Sequence, residues 1–374
     1  MSGGFQAERA VSPSDGTVVW VVVDAELVVH REASDFLRAL AGASRSPHTI
    51  RAYAGRVALF LGWCEEHGVD WKKIALVELG SFKHFLETVP IGVRRVRTGA
   101  TVNAILTAVC ELLRFCARSG VIEAAVADQL SEPRWLRFVP PGFEAGEAGQ
   151  FRTVRARQVR ARAQTPFPEA LTFEQAQAVL SCCRRPREVF MVRLLLDSGL
   201  RIGEALGLRR EDMHMLADSR ALGCAVVGPH VHVRRRANPN GALSKCRIPR
   251  SVPASEAVLA AYIDYQFERC EIPGGDDSDM VFVNLYHEPL GAPMVYRAAK
   301  GFFDRLAAEC GFVLRPHMCR HTAATNWVRA GVDIDVVQRL LGHFSMASTA
   351  VYLHARDEDK RRAVEAVAAG ERYR

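Results

Sequence analysis

Several things are scarce in this 374-residue chain. The longest early apolar run, Val18 to Val23, is stopped by Asp24, far short of the ~20 residues that span a bilayer. The opening "MSGGFQAERA" has neither the basic start nor the apolar stretch of an export signal. A cytoplasmic protein without a membrane partner is therefore expected. The ten cysteines include the adjacent pair Cys182 and Cys183, but no CxxC and no framework spacing, so they read as reduced thiols. No period of 20–50 residues recurs, which argues against a solenoid. Charge of one sign is not abundant either: 49 Lys and Arg face 42 Asp and Glu, a net +7 with pI near 9.0. That excludes an acidic scaffold and suits an anionic partner.

What is present divides into two parts. With 49% hydrophobic and 24% charged residues the chain is a folded one, and its length is sufficient for two cores. Residues 1–43 are expected to form a β-hairpin, from the two valine-rich runs around Asp24-Ala25-Glu26, followed by a short helix. Residues 44–132 carry helical periodicity. Ser46-Pro47 opens one helix as cap and first-turn proline, and Ile105, Leu106, Val109, Leu112, Leu113 and Cys116 form the apolar stripe of another. The periodicity fails over 133–168, which reads as an arginine-rich linker. From 169 to 374 helices return, opened by a capping box at Thr172 and Gln175, with a small sheet at "VVGPHVHVRRR" and "KCRIPRSVP" around the turn "NPNG". A helical pattern is expected over 186–210. The fold class is mainly α with small β elements.

Two basic segments are candidates for phosphate contact. Arg94, Arg95 and Arg97 precede the capping threonines Thr98 and Thr101 of a helix, where side-chain charge and the helix dipole both favour phosphate oxygens. Arg155, Arg157 and Arg160 lie in a stretch of five arginines with no acid among them. Either could equally be a solvated basic surface.

Four places in the last 206 residues gain meaning together. In "LLLDSGLRIGEALGL", Arg201 stands one helical turn before Glu204, which can orient it. In "NPNGALSKCRIPRSVP", Lys245 lies near a hairpin tip. In "PHMCRHT", His317 and Arg320 are one turn apart. In "LLGHFSMASTAVYLHA", His343 precedes Tyr352 by nine residues. A zinc site from His317, Cys319, His321 and His343 is a competing reading, disfavoured by the fixed charge of Arg320 and the lack of an HExxH arrangement. Two arginines, a lysine, two histidines and a tyrosine are the parts a metal-free phosphodiester transfer requires. Guanidinium forks neutralise the non-bridging oxygens, a nucleophile attacks in line, and an acid protonates the leaving oxygen.

These boxes resemble the active site of the tyrosine recombinases, the family of phage integrases, chromosome-dimer resolvases and transposon-borne recombinases. "GLRIGEALGL" is similar to the family's first-arginine box and "HMCRHT" to its HxxR motif. "LLGHFSMASTAVYLHA" is similar to its LLGH and tyrosine segment, and "KCRIPRSVP" to its lysine turn. Upstream, "SPHTIRAYAGRVALFLGWC" resembles the helical core-binding domain more weakly. Cys319 departs from a usually larger apolar residue, and the hairpin before Lys245 is longer than in simple members.

The resemblance implies a two-domain DNA clamp: a helical core-binding domain and an α+β catalytic domain. It implies a site-specific recombinase in which Tyr352 attacks to give a 3′-phosphotyrosyl enzyme, with integration, excision or transposition of a mobile element as its role. Arg201 and Arg320 would bracket the phosphate, His343 would bond to it, Lys245 would protonate the 5′ oxygen, and His317 would shuttle protons. Glu204 would orient Arg201. No cofactor and no metal are implied. The implied partners are double-stranded recombination sites, a homo-tetramer on paired sites through the C-terminal stretch 358–370, and sister recombinases or accessory proteins. A type IB-like topoisomerase and a non-cutting DNA-binding protein on the same fold are the alternatives.

Overall fold

The computed structural model describes residues 4–92, 95–138, 150–163, 169–244, 248–343, 347–352 and 364–365. Arg94, Lys245 and most of the C-terminal stretch 358–370 lie outside them. The described residues up to 163 form one unit and those from 169 onward a second.

In the first unit, β1 (Gln6–Val11) and β2 (Val18–Val23) pair antiparallel, Gln6 opposite Val23 and Val11 opposite Val18. The valine run thus pairs with the segment before it, not with the run after Asp24. The reason is local: the Asp24 carboxylate accepts from the backbone N–H of Glu26 and of Val28, closing a turn that leaves Val29 a single bridge to Val23. Helices α1 (Arg31–Gly42), α2 (Pro47–Glu66), α3 (Leu76–Thr88), α4 (Gly99–Arg118) and α5 (Ala124–Asp128) follow. Ser46 and Thr98 cap α2 and α4 by accepting from the N–H three residues on, contacts worth ~1 kcal/mol each. By length and composition α4 could cross a membrane. Here its apolar stripe, Val102 to Cys116, is instead buried with Phe36, Phe60 and Phe82 in the unit's core.

The expected linker over 133–168 is in part built structure. Strand β3 (Ser131–Trp135) pairs antiparallel with β4 (Thr153–Arg157), Ser131 opposite Arg157. Beyond it, Asn103 of α4 clamps residue 161 from both sides, its amide donating to the Ala161 carbonyl and its carbonyl oxygen accepting the Ala161 N–H, both at 2.9 Å. Short ribbons held by side chains leave no helical or long alternating pattern to read.

The second unit runs α6 (Phe173–Ser181), α7 (Pro186–Ser198), α8 (Ile202–Ala205), β5 (Met213–His214), β6 (His230–Val233) and β7 (Arg250–Pro253). It continues with α9 (Glu256–Cys270), α10 (Tyr296–Cys310), α11 (Pro316–Arg329), α12 (Ile334–Leu341) and α13 (Ala347–Ala350). The sheet has the order β5-β6-β7, antiparallel throughout. Helix α7, which buries Phe190, Met191, Val192, Leu194 and Leu195, is the centre of the core, packed between α9 and α11. The expected helix over 186–210 is interrupted at Gly199, which takes φ +62°. A Cβ there would lie 3.0 Å from the Trp327 ring, so both backbone conformation and space call for glycine. That break turns Arg201 out of the α7 axis and sets it at the start of α8.

Candidate active site

Four side chains, one from the same turn and three from residues distant in sequence, converge on the carboxylate of Glu204. Its side chain has no solvent exposure, and Arg201 Nη1 donates to Oε1 at 3.0 Å from the preceding turn. Arg250, at the start of β7, donates through Nη2 to Oε2 at 2.8 Å and through Nη1 to Oε1 at 3.3 Å. Arg320 on α11 brings Nη1 to 3.8 Å from Oε2. Ser244 is also buried here, its hydroxyl 3.5 Å from Oε1.

Backbone carbonyls aim these guanidinium groups. Arg320 donates from Nη1 to the Gly199 carbonyl and from Nη2 to that of Leu341, each at 2.7 Å. Arg250 Nε donates to the Leu340 carbonyl at 2.8 Å. The last turn of α12 has carbonyls without helical partners and a negative dipole end, so two buried arginines there satisfy acceptors while being held in place. Three guanidinium groups share one carboxylate, which leaves the cluster positive and ready for an anion.

The tyrosine end is built by α11, α12 and the short α13. Tyr352 is 9% exposed and packs on Ala324, Val337 and Leu341. Its hydroxyl lies 2.6 Å from His321 Nδ1. The Tyr352 ring is nearly parallel to that of His343, with centroids 6.5 Å apart, and the His317 ring meets His321 edge-on at 4.5 Å. His343 Nδ1 is 2.9 Å from the Thr349 hydroxyl, and its backbone exchanges hydrogen bonds with Gln338.

Electrostatics follow from burial against this positive cluster. Desolvation outweighs the charges of Arg320 and Arg201 at Tyr352, holding its phenol above the ordinary range. Burial, then His317 and Arg320, push His321 down to about 4. Burial, then Arg320 and Arg201, push His343 down to about 3. Both rings are neutral at pH 7, so each can accept at one nitrogen and donate at the other. A neutral His321 can thus accept the phenol proton at Nδ1. Burial and Arg201 push Arg320 down to about 9, which leaves it protonated at neutral pH. Burial would raise Glu204, but Arg250 and Arg201 prevail and hold it below the usual carboxylate range.

The structure therefore brings together Arg201, Glu204, Arg320, His343 and Tyr352, with His317 beside His321. Lys245 lies outside the described residues. Two residues at the centre were not singled out as functional in the sequence: Arg250, and His321, which entered there only as a metal ligand. Their signals were the arginine opening "RSVP" and the histidine following Arg320. Cys319 is fully buried in the core, and among the described residues the ligand atoms of His317, Cys319, His321 and His343 do not gather into one group, so the competing zinc set is not assembled.

The basic residues of the first unit separate. Arg95 and Arg155 are exposed, as is Arg160. Arg97 is half-buried, donates to the Val89 carbonyl at 3.3 Å and lies over the Phe85 ring. Arg157 is spent within the unit: Nη1 donates to the Asn103 carbonyl at 3.0 Å and Nη2 to the Thr107 hydroxyl at 2.7 Å. For Arg157, structural bracing replaces the expected phosphate contact.

The description "Phage integrase family" matches residues 169–359, and "Phage integrase, N-terminal SAM-like domain" matches residues 33–120. The chain belongs to the phage integrase family. It is a tyrosine recombinase, an enzyme that cleaves and rejoins DNA through a tyrosine intermediate. The recombinase is similar to Transposase A from transposon Tn554 of Staphylococcus aureus, 26% identical over 354 residues that make up 91% of this chain and 92% of the relative. It is also similar to tyrosine recombinase XerC of Pseudomonas fluorescens, 26% identical over 310 residues, 83% of this chain and 86% of the relative. Among solved structures, the Tn1549 transposon integrase in complex with circular intermediate DNA matches at TM-score 0.60 and 17% identity, over 89% of this chain and 98% of that one. XerH bound to difH matches at TM-score 0.58 and 17% identity, over 91% of this chain and 86% of that one. These likenesses give the recombinase its fold: a helical core-binding domain followed by an α+β catalytic domain.

Proposed function

We propose that this recombinase moves a mobile element, cutting at the element's ends through a 3′-phosphotyrosyl bond formed by Tyr352. The observation that carries the chemistry is the gathering of Arg201, Arg250 and Arg320 around one buried carboxylate, with Tyr352 held beside Arg320's neighbour His321. Likeness over nearly its whole length to a Tn554 transposase supports the biological role.

Arg201 and Arg320 neutralise the non-bridging oxygens of the scissile phosphate, and His343, neutral, donates one hydrogen bond to it. The Tyr352 hydroxyl proton passes to His321 Nδ1 as the phenolic oxygen attacks phosphorus. The P–O bond to the 5′ oxygen breaks, and Lys245 gives that oxygen a proton. The incoming 5′-hydroxyl of a partner strand reverses both transfers, so the phosphodiester energy is retained. His317 supports His321 in holding the proton. Glu204 and Arg250 are positioning residues. Arg95, Arg155 and Arg160 hold backbone phosphates of duplex recombination sites. The active form is a homo-tetramer on paired sites, aided by accessory proteins, in the cytoplasm.

A nicked suicide duplex spanning the DNA ends that flank the gene tests this. The 5′ fragment should diffuse away and leave a covalent protein–DNA adduct stable in detergent. Strand exchange between two such duplexes, and not mere relaxation of one supercoiled circle, separates recombination from topoisomerase action. Absence of an adduct on every end sequence would leave a non-cutting DNA-binding protein.

A further inference from the structure

Outside the active site, the small sheet gathers three histidines and a cysteine. His214 on β5 stands directly opposite His230 on β6, and His232 lies two residues further along the same strand. The two-residue period puts His230 and His232 on one face while Val231 and Val233 enter the core from the other. The loop from β5 to β6 adds Cys224. Each residue offers a ligand atom, and the four atoms lie within 4.8 Å of one another.

We propose that these four side chains form a structural zinc site, a staple of one cysteine and three histidines that ties β5, β6 and the intervening loop together. The distances fit a tetrahedral ion. Zn–N near 2.05 Å and Zn–S near 2.3 Å place neighbouring ligand atoms about 3.3 Å apart for two nitrogens and about 3.6 Å for nitrogen and sulfur. His230 Nε2 and His232 Nε2 are 3.1 Å apart, and Cys224 Sγ is 3.4 Å from each of them. His214 closes the group, with ring centroids 4.9 Å from His230 and 4.5 Å from His232.

Two further observations point to a cation. His230 Nδ1 is 2.7 Å from the Gly228 carbonyl, which must receive an N–H, so in the neutral ring Nε2 is a bare lone pair aimed into the cluster. A carbonyl on the far nitrogen is the arrangement by which metal-bound histidines are fixed. His214 is 7% exposed and its Nδ1 is buried without a hydrogen-bond partner, a costly state for a ring nitrogen with no ion to serve. Three crowded imidazoles and a thiol offer many lone pairs and few protons, a mismatch that one zinc ion resolves. With all four positions taken from protein, the site is closed and has no open position for catalysis. Its strand β6 pairs with β7, which presents Arg250 to Glu204, so the ion supports the sheet that carries one wall of the active site.

The test uses the full chain without a histidine tag, purified from zinc-supplemented culture. Elemental analysis should find about one zinc per chain. Cys224→Ser and His232→Ala should each lower that content at least tenfold. Because these variants can unfold for other reasons, cobalt(II) provides a second reading in the intact protein. Cobalt exchanged into chelator-treated chain should give the visible bands of tetrahedral coordination and a thiolate-to-metal band in the near ultraviolet, the latter absent in Cys224→Ser. Zinc content below a tenth per chain together with no cobalt bands would overturn the proposal and leave a hydrogen-bonded histidine cluster. Bands of octahedral cobalt without the thiolate transition would overturn it equally.

Discussion

Arg250 and Glu204 form a buried ion pair, Nη2 to Oε2 at 2.8 Å, in which the carboxylate has no exposure and also accepts from Arg201. Removing one member of such a pair leaves the other charge uncompensated, at a cost of about 3–5 kcal/mol. Glu204→Gln should therefore unfold at clearly lower urea concentration and lose DNA cleavage, since three guanidinium groups lose their shared anchor. Arg250→Met combined with Glu204→Gln should be less destabilised than the sum of the single changes. Additive effects in that double-mutant cycle would mean the two side chains do not depend on each other.

The hydroxyl of Tyr352 is the atom proposed to attack, so Tyr352→Phe should form no covalent adduct on the suicide duplex while binding the same DNA with unchanged affinity. His321→Ala keeps the hydroxyl but removes the nitrogen 2.6 Å from it. It should slow adduct formation by about 10²–10⁴-fold, the usual contribution of a positioned acid or base, with the slow rate rising with pH as the phenol ionises by itself. A full-rate His321→Ala enzyme would return the proton-accepting role to His317.

Acid should destabilise the catalytic unit in two stages. His321 and His343 take protons near 6.5 when unfolded, but only at about 4 and about 3 when folded. The unfolded chain therefore binds more protons below pH 6.5, and stability falls as pH drops from there until the folded values are reached. Glu204, held below its ordinary 4.5, adds a second loss in the same direction as pH falls through its folded value. Thermal melts from pH 8 to pH 4 should decline below about 6.5, and His321→Gln should flatten that first limb.

The parts of the molecule that follow one short-range rule are readable without the structure. The helices α2, α4 and α6 begin at Ser46, Thr98 and Thr172, because a capping side chain and an apolar stripe are both local features. Arg201, Arg320, His343 and Tyr352 stand out because their boxes keep fixed spacing around chemically unusual residues. What escapes depends on partners distant in sequence. The β3–β4 ribbon needs residues about twenty positions apart to meet, with 139–149 between its strands in sequence. Arg250 reads as a strand-edge arginine until Glu204, 46 residues earlier, is placed against it. The cluster at His214, Cys224, His230 and His232 has none of the familiar ligand spacings, since its geometry comes from strand pairing and a loop.

Arginines of the first unit can be told apart by what each substitution disturbs. A residue that neutralises one phosphate contributes about one unit to the salt slope of log K, because binding releases the counterion it replaces. Arg155→Ala and Arg160→Ala, both at exposed positions, should weaken binding to all duplexes similarly and make the slope shallower by about one each, with the melting temperature unchanged. Arg157→Ala should do the reverse. Its guanidinium bonds the Asn103 carbonyl and the Thr107 hydroxyl of α4, so truncation leaves those acceptors and the β4 strand without their tie, costing about 1–3 kcal/mol of stability. The salt slope of the folded variant should stay as it was. If Arg157→Ala instead lowers the slope without lowering the melting temperature, its hydrogen bonds to α4 give way when DNA arrives, and the guanidinium serves phosphate after all.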